Sequence, residues 1–356
     1  MERITALMKR KNIEISLRRY GIDALGAMAQ GLFCSLLIGT IIKTLGQQIG
    51  VSFLVDIGTY ASAMSGPAMA VAIGYALKAD PMVMYSLAAV GWAANAEGGA
   101  GGPLAVLIIA IIAAEFGKLV SRETKIDILV TPAVTILIGV ALAKLIAPPI
   151  GSAARAFGMV IDQATKLQPF WMGIAVSVLV GIALTLPISS AAICTVFGLT
   201  GLAGGAAVAG CCANMIGFAV LSFRENRWSG LVSQGIGTSM LQMPNIVRNP
   251  RVWLPAILTS AITGPLATCL FKLEMNGAPV SSGMGTCGLV GQIGVIAGWV
   301  SPSEEALAKG AAAIAPGAMD WLGLVLISFV LPAVLCWAFG WFFRKIGWIK
   351  EGDLTL

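Results

Sequence analysis

The chain contains no histidine, and only 11% of its 356 residues are charged. Without histidine there is no imidazole to shuttle protons, bind a metal ion or carry a phosphoryl group. The charge is less than half of the roughly 25% that a globular domain places on its water-facing surface, which excludes a secreted enzyme or a disordered tail protein. Cysteine occurs seven times but never as a CxxC pair. Cys34, Cys194, Cys211, Cys212, Cys269, Cys287 and Cys336 lie in apolar or glycine-rich surroundings and read as packing residues. Metal-ligand spacing and a nucleophile–base pair are both lacking, so no metal site, cofactor or self-contained catalytic centre is expected.

What is abundant points to lipid as the solvent. Apolar residues make up 57% of the chain, with 43 glycines and nine tryptophans, and the mean hydropathy is +0.88. Small residues allow close helix packing, and tryptophan gathers at bilayer interfaces. The net charge of +6 reads as a topology signal rather than a nucleic-acid footprint. Arg3, Lys9, Arg10, Lys11, Arg18 and Arg19 precede the first span, and Arg344, Lys345 and Lys350 follow the last; both ends are therefore expected in the cytoplasm. The predicted location is the plasma membrane, crossed several times. The apolar stretch after Ile22 is too long for a cleaved signal peptide.

A span needs about 20 apolar residues. Candidates are 24–46, 53–77, 82–97, 103–120, 128–147, 169–187, 202–221, 253–272 and 320–342. Shorter stretches at 188–200, 229–243 and 285–300 suit either thin crossings or re-entrant half-helices. The expected fold is an all-α polytopic membrane protein of about ten transmembrane helices plus re-entrant half-helices. Its expected parts are a basic cytoplasmic segment (1–22), a first transmembrane repeat (23–147), an interfacial amphipathic helix (148–168, with Arg155, Asp162 and Lys166), central spans (169–222), a second repeat (223–344) and a tail (345–356). The duplication rests on GAMAQGLFCSLL at 26–37 against GLVSQGIGTSML at 230–241, which aligns Gln30 with Gln234, and on Ser65-Gly66-Pro67 against Thr263-Gly264-Pro265. Chance likeness between glycine-rich spans is the alternative.

Ionisable groups within spans are costly and usually face a cavity or a partner. Glu97 stands out, in Asn95-Ala96-Glu97-Gly98-Gly99-Ala100-Gly101-Gly102-Pro103, where glycines and a proline interrupt the apolar run. A carboxylate beside freed backbone groups suits a sugar hydroxyl or a coupling ion; a solvated turn is the plainer reading. Pro187-Ile188-Ser189-Ser190 could line a polar path or simply kink a helix. Asn214 could bind solute or join helices. In 222–228, Arg224 and Glu225 could form an exchangeable gating pair, or Arg224 could meet a phosphorylated partner; with Arg227 they also read as an ordinary basic loop. In 282–292, glycines surround Gln292, and a re-entrant loop offering Gln292 to solute is the preferred reading. Gln30 and Gln234 complete the candidate solute contacts.

The segments LPISSAAIC, AGCCANMIGFAVLSFRENRWSGLVSQGIGTSMLQMPNIVRNPRVWLP, ITGPLATCLFKLE and GMGTCGLVGQIG resemble the membrane subunit IIC of phosphotransferase-type sugar transporters. The likeness runs from about Gly26 to Trp341 and is nearest to the branch often labelled perfringolysin O regulator-like. It implies a permease, usually a homodimer, that binds a sugar between spans and re-entrant hairpins and receives phosphoryl groups through separate A and B components. A membrane-embedded Glu and often a His contact the sugar in such families. Glu97 or Glu225 is available for the first role, and the chain departs from the pattern in having no His. The reading is a permease for a sugar or related polar solute, working by alternating access, with its motive force either phosphorylation by partner proteins or a cation gradient. The alternatives are a cation-coupled transporter independent of phosphorylation, and a membrane sensor or regulator that binds solute without moving it. No nucleic-acid partner is implied.

Overall fold

The computed structural model describes residues 7–356, so Arg3 lies outside the described residues. Helix dominates and no strand forms among these residues. Six stretches are long and apolar enough to cross a bilayer: Arg19–Ile49, Pro81–Val120, Asp127–Ala164, Gly201–Leu221, Pro250–Leu270 and Ala318–Lys345. The chain is a multi-pass membrane protein. It divides into two compact units, Met1–Ala154 and Arg155–Leu356.

In the first unit, α1 (Ala24–Leu32) and α2 (Ile38–Ile49) join through a π turn, Phe33–Leu37, into one rod. Gly50, in the left-handed region at φ 72°, ends it. The rod is answered by α3 (Ser52–Ala63) and α4 (Ser65–Ala76). These two helices run antiparallel to it, because Gly46 meets Leu54, Gly39 meets Ser62 and Gly31 meets Ala68. The single span expected at 53–77 is thus a rod bent at Met64. Next come α5 (Pro81–Gly98) and α6 (Gly102–Val120), each opened by a proline that loses no helical hydrogen bond in the first turn. Gly99, at φ 50° and ψ −121°, reverses the chain between them, so the 40-residue apolar stretch folds as a hairpin. Backbones touch where α4 crosses α5: a methyl on Gly66 would lie 2.4 Å from the Gly91 carbonyl oxygen.

Helix α7 (Asp127–Ala164) holds Pro132, Pro148 and Pro149 in its interior. The helix runs without interruption from the span expected at 128–147 into the stretch expected as an interfacial helix at 148–168, as far as Ala164. Lys166, beyond its end, pairs with Asp162 at 3.4 Å.

The basic residues before the first span are tied to the 118–127 loop. Arg10 reaches Glu123 at 2.7 Å, and Lys11 pairs with the same carboxylate. That ammonium, helped by Arg10, holds the exposed Glu123 carboxyl below its ordinary value. The Leu77 carbonyl accepts from both Arg19 (2.7 Å) and Lys118 (3.1 Å).

In the second unit, α8 (Pro169–Thr185), α10 (Gly201–Leu221) and α13 (Leu254–Pro265) cross at glycines. A methyl on Gly210 would sit 1.8 Å from the Ser177 carbonyl, and one on Gly264 would sit 2.0 Å from that of Gly173. This is the small-residue contact by which helices associate in lipid. The helix α9 (Ser190–Val196) has only seven residues, about 10 Å of rise, far short of a crossing. The remaining helices are α11 (Phe223–Val232), α12 (Met243–Arg248), α14 (Val290–Val300), α15 (Glu304–Ala308), α16 (Ala318–Val325) and α17 (Leu331–Lys345).

Candidate functional site

The candidate solute residues fall into separate environments. In the first unit, Glu97 is half-buried at the α5–α6 turn and forms an ion pair with Lys144 of α7. Asn95, two residues earlier, points its amide at Ser65 Oγ, 3.5 Å away. Gln30 is exposed on α1.

In the second unit, most of the expected residues have their hydrogen-bonding capacity filled by protein. Asn214 is fully buried. It donates to the Gly210 carbonyl (3.0 Å) and Ser260 Oγ (3.3 Å), and accepts from Thr185 Oγ1 (3.2 Å) and Trp253 Nε1 (3.0 Å). Four bonds saturate an amide well, and they tie α8, α10 and α13 together. Ser189 caps α9 by accepting from the Ala192 amide at 3.2 Å, while Ser190 donates to the Gly283 carbonyl at 2.7 Å. That bond brings the Pro187–Ser190 break against the glycine-rich 282–292 tract, two segments that sequence reading kept apart. Within this tract Gln292 donates to Cys212 Sγ at 3.3 Å. Its Oε1 is buried and has no hydrogen-bond partner among the described residues.

Gln234 donates to Ser222 (2.8 Å) and accepts from Gln242 (2.9 Å). Its setting is buried, whereas that of Gln30 is exposed, so the aligned glutamines do different jobs. Among the described residues, Arg224 and Glu225 are not paired with each other. Glu225 pairs with Arg344 at 2.8 Å instead, because the last turn of α17 brings that guanidinium over the end of α10. Arg227, at φ 51° and ψ −146°, interrupts α11 and is exposed.

The amides of 226–249 serve a purpose not foreseen. Asn226 and Gln242 donate to the Leu354 carbonyl at 2.7 and 3.0 Å, and Asn245 donates to that of Thr355 at 2.9 Å. The final residues are clasped by this ladder, with Leu354 fully buried.

A polar hollow lies elsewhere in the same unit, built by residues 272–277. Beyond the π turn Leu266–Leu270, Lys272 takes the left-handed backbone at φ 47° and turns the chain into an extended run. Met275 there pairs with Gly201 in an antiparallel bridge, and Leu273 and Met275 point inward while Lys272 and Glu274 face out. Helix α14 presses on the same run: a methyl on Gly298 would lie 2.6 Å from the Asn276 backbone. A cavity of about 140 Å³ is lined by Thr200, Glu274, Asn276 and Lys309. A second, of about 210 Å³, shares Glu274 and Asn276 and adds Lys272, Trp299 and Asp320. Trp299 meets Trp321 edge-on at 4.9 Å. Asn276 donates to Glu274 at 2.8 Å.

Two atoms in this hollow are conspicuous. Thr200 Oγ1 and Asn276 Oδ1 are buried without a hydrogen-bond partner among the described residues, on side chains only 4% and 6% exposed. Leaving such groups unpaired costs about 1–3 kcal/mol each, a cost that a bound hydroxyl removes. Lys309 is held by the Gly198 carbonyl at 2.6 Å and Asp320 accepts from the Gly317 amide at 2.8 Å, so Thr200, Glu274 and Asn276 are the groups most open to a polar ligand. The sequence analysis singled out none of Thr200, Glu274, Asn276, Lys309, Trp299 and Asp320 as a solute contact. The signal was there in the strict alternation of Lys272-Leu273-Glu274-Met275-Asn276, which is the period of an extended chain.

A family model described as Phosphotransferase system, EIIC matches residues 22–356. No curated protein and no solved structure matches the chain.

Proposed function

Because the chain belongs to the phosphotransferase-system EIIC family, we propose that it translocates a sugar or a related polar solute across the plasma membrane by alternating access. The observation that carries the choice of site is the pair of unpartnered, buried oxygens, Thr200 Oγ1 and Asn276 Oδ1, in a hollow rimmed by Glu274. In this reading Glu274 accepts solute hydroxyls, Asn276 and Thr200 complete the hydrogen bonds, and Trp299 offers an apolar face. Glu97 and Asn95 form a second proposed contact point, with Glu97 released from Lys144 when solute or a coupling cation arrives. Gln292 keeps a free acceptor for the same purpose. Asn214, Ser190 and Gln234 are assigned to holding helices, since their bonds are already filled.

Both chain ends are placed in the cytoplasm, where separate A and B components would supply phosphoryl groups to the transported solute. The short α9 and the 282–292 tract are read as re-entrant, and the protein as a homodimer. Membership of the regulator-like branch is likewise a proposal.

The test is solute binding followed by uptake. A thermal-shift panel of sugars, polyols, vitamins and nucleosides identifies the ligand, and proteoliposomes then report its entry. Glu274→Gln is expected to weaken binding at least tenfold while leaving the unliganded melting temperature within a few degrees. Unchanged binding in that variant removes the hollow from the solute path. Binding without vesicle filling, with A and B components and phosphoenolpyruvate supplied, replaces the permease by a sensor.

A further inference from the structure

A larger cavity lies where α10 ends, α11 begins and α17 runs out. It measures about 600 Å³ and is walled by Trp228, Leu231, Trp337 and Trp341, with Arg224 and Lys345 also lining it. The three tryptophans are each more than half exposed. Lys345 is the last residue of α17 and Arg224 falls in the first turn of α11, so the cations stand where the apolar helices stop. Lys345 Nζ lies 5.2 Å from the centre of the Trp341 ring and pairs with no carboxylate among the described residues. Arg224 makes no hydrogen bond or ion pair there either. The nearby Arg344, by contrast, is engaged by Glu225 and the Leu221 carbonyl. An adjoining polar cavity of about 590 Å³ shares Arg224 and Arg344 and adds Lys350 and Glu351. Around the two cavities, four cations stand against the two carboxylates Glu225 and Glu351.

We infer that this cleft holds one anionic phospholipid. Its phosphate sits between Arg224 and Lys345, and an acyl chain lies along Trp337, Leu231 and Trp228. The chemistry at each level fits. Indoles favour the headgroup boundary, and a long basic side chain lays its stem on apolar surface while its head stays polar. Two uncompensated cations then select an anionic headgroup over a zwitterionic one.

The full chain in detergent, incubated with equimolar phosphatidylglycerol and phosphatidylcholine of identical acyl chains, is read by native mass spectrometry. The wild type is expected to retain phosphatidylglycerol preferentially. Arg224→Gln with Lys345→Gln lowers that preference about thirtyfold, taking each basic residue near an anionic headgroup as worth about fivefold. Arg224→Lys with Lys345→Arg preserves it. Trp341→Ala weakens retention of both lipids alike. Quenching of the wild-type tryptophans by brominated phosphatidylglycerol at lower concentration than by brominated phosphatidylcholine tests the same point without any variant. Equal retention and equal quenching of the two lipids by the wild type overturns the inference. So does an unchanged preference in the folded double glutamine variant, or a lipid-free dimer.

Discussion

Asn214 offers the sharpest test of how the second unit is held, because solute binding and helix tethering predict opposite results there. Replacing it with leucine keeps the volume near constant and removes all four of its hydrogen bonds. Thr185 retains Ser239 Oγ at 2.7 Å and the Gly181 carbonyl at 3.2 Å. Ser260 retains the Ala256 carbonyl at 2.9 Å. Among the described residues Trp253 Nε1 has no acceptor besides Asn214, so its N–H is left unpaired in partly buried surroundings. Three of the lost bonds join different elements, at about 0.6 kcal/mol each in lipid, and the orphaned indole adds about 1 kcal/mol. Asn214→Leu should therefore destabilise the protein by about 2–3 kcal/mol. Trp253→Phe in the same background should restore about 1 kcal/mol, giving a double-mutant cycle that is not additive. Equilibrium unfolding in mixed micelles of a mild detergent and dodecyl sulfate measures both. Stability within 0.5 kcal/mol of wild type, accompanied by lost solute binding, would refute the tether and move Asn214 into the solute path.

Gly210→Ala forces a methyl to within 1.8 Å of the Ser177 carbonyl, which is backbone and cannot step aside; a loss of more than about 2 kcal/mol is expected from the same unfolding measurement. Deleting Leu354, Thr355 and Leu356 removes the acceptors of Asn226, Gln242 and Asn245. Amide hydrogen exchange across 226–249 should accelerate, and unchanged protection would show that the ladder stands without the tail. Glu123 binds its proton less readily when folded than its ordinary value of 4.5 implies, so the unfolded state takes up protons first as the pH falls. Its contribution is complete above that value and is lost as the pH drops through the lower folded value. Melting temperatures of wild type and Glu123→Gln should differ near neutrality and converge in acid; a constant difference contradicts the pairing with Lys11.

The multi-pass, all-helical character was legible because lipid demands long apolar runs. The continuation of α7 through Pro148 and Pro149 was not legible, since two adjacent prolines ordinarily argue for a stop. The close crossings were readable as glycine but not as pairs: nothing local says that Gly210 faces Ser177. The site divided in the same way. Glu97 was conspicuous as a carboxylate in a greasy stretch, yet its partner Lys144 lies 47 residues on. Glu225 drew attention beside Arg224, while its partner Arg344 is 119 residues away. Thr200 and Asn276 were invisible, because an ordinary threonine and asparagine become noteworthy only when folding strips them of water and of partners.

Where α8, α10 and α13 meet backbone to backbone, there is no lubricating layer of flexible side chains to let one slip past another. In the alternating-access reading proposed above, this glycine seam is the part expected to stay fixed, and movement is expected in pieces without such a weld, such as the seven-residue α9 and the 301–317 connection. Spin labels placed on the seam should then keep constant separations throughout a transport cycle.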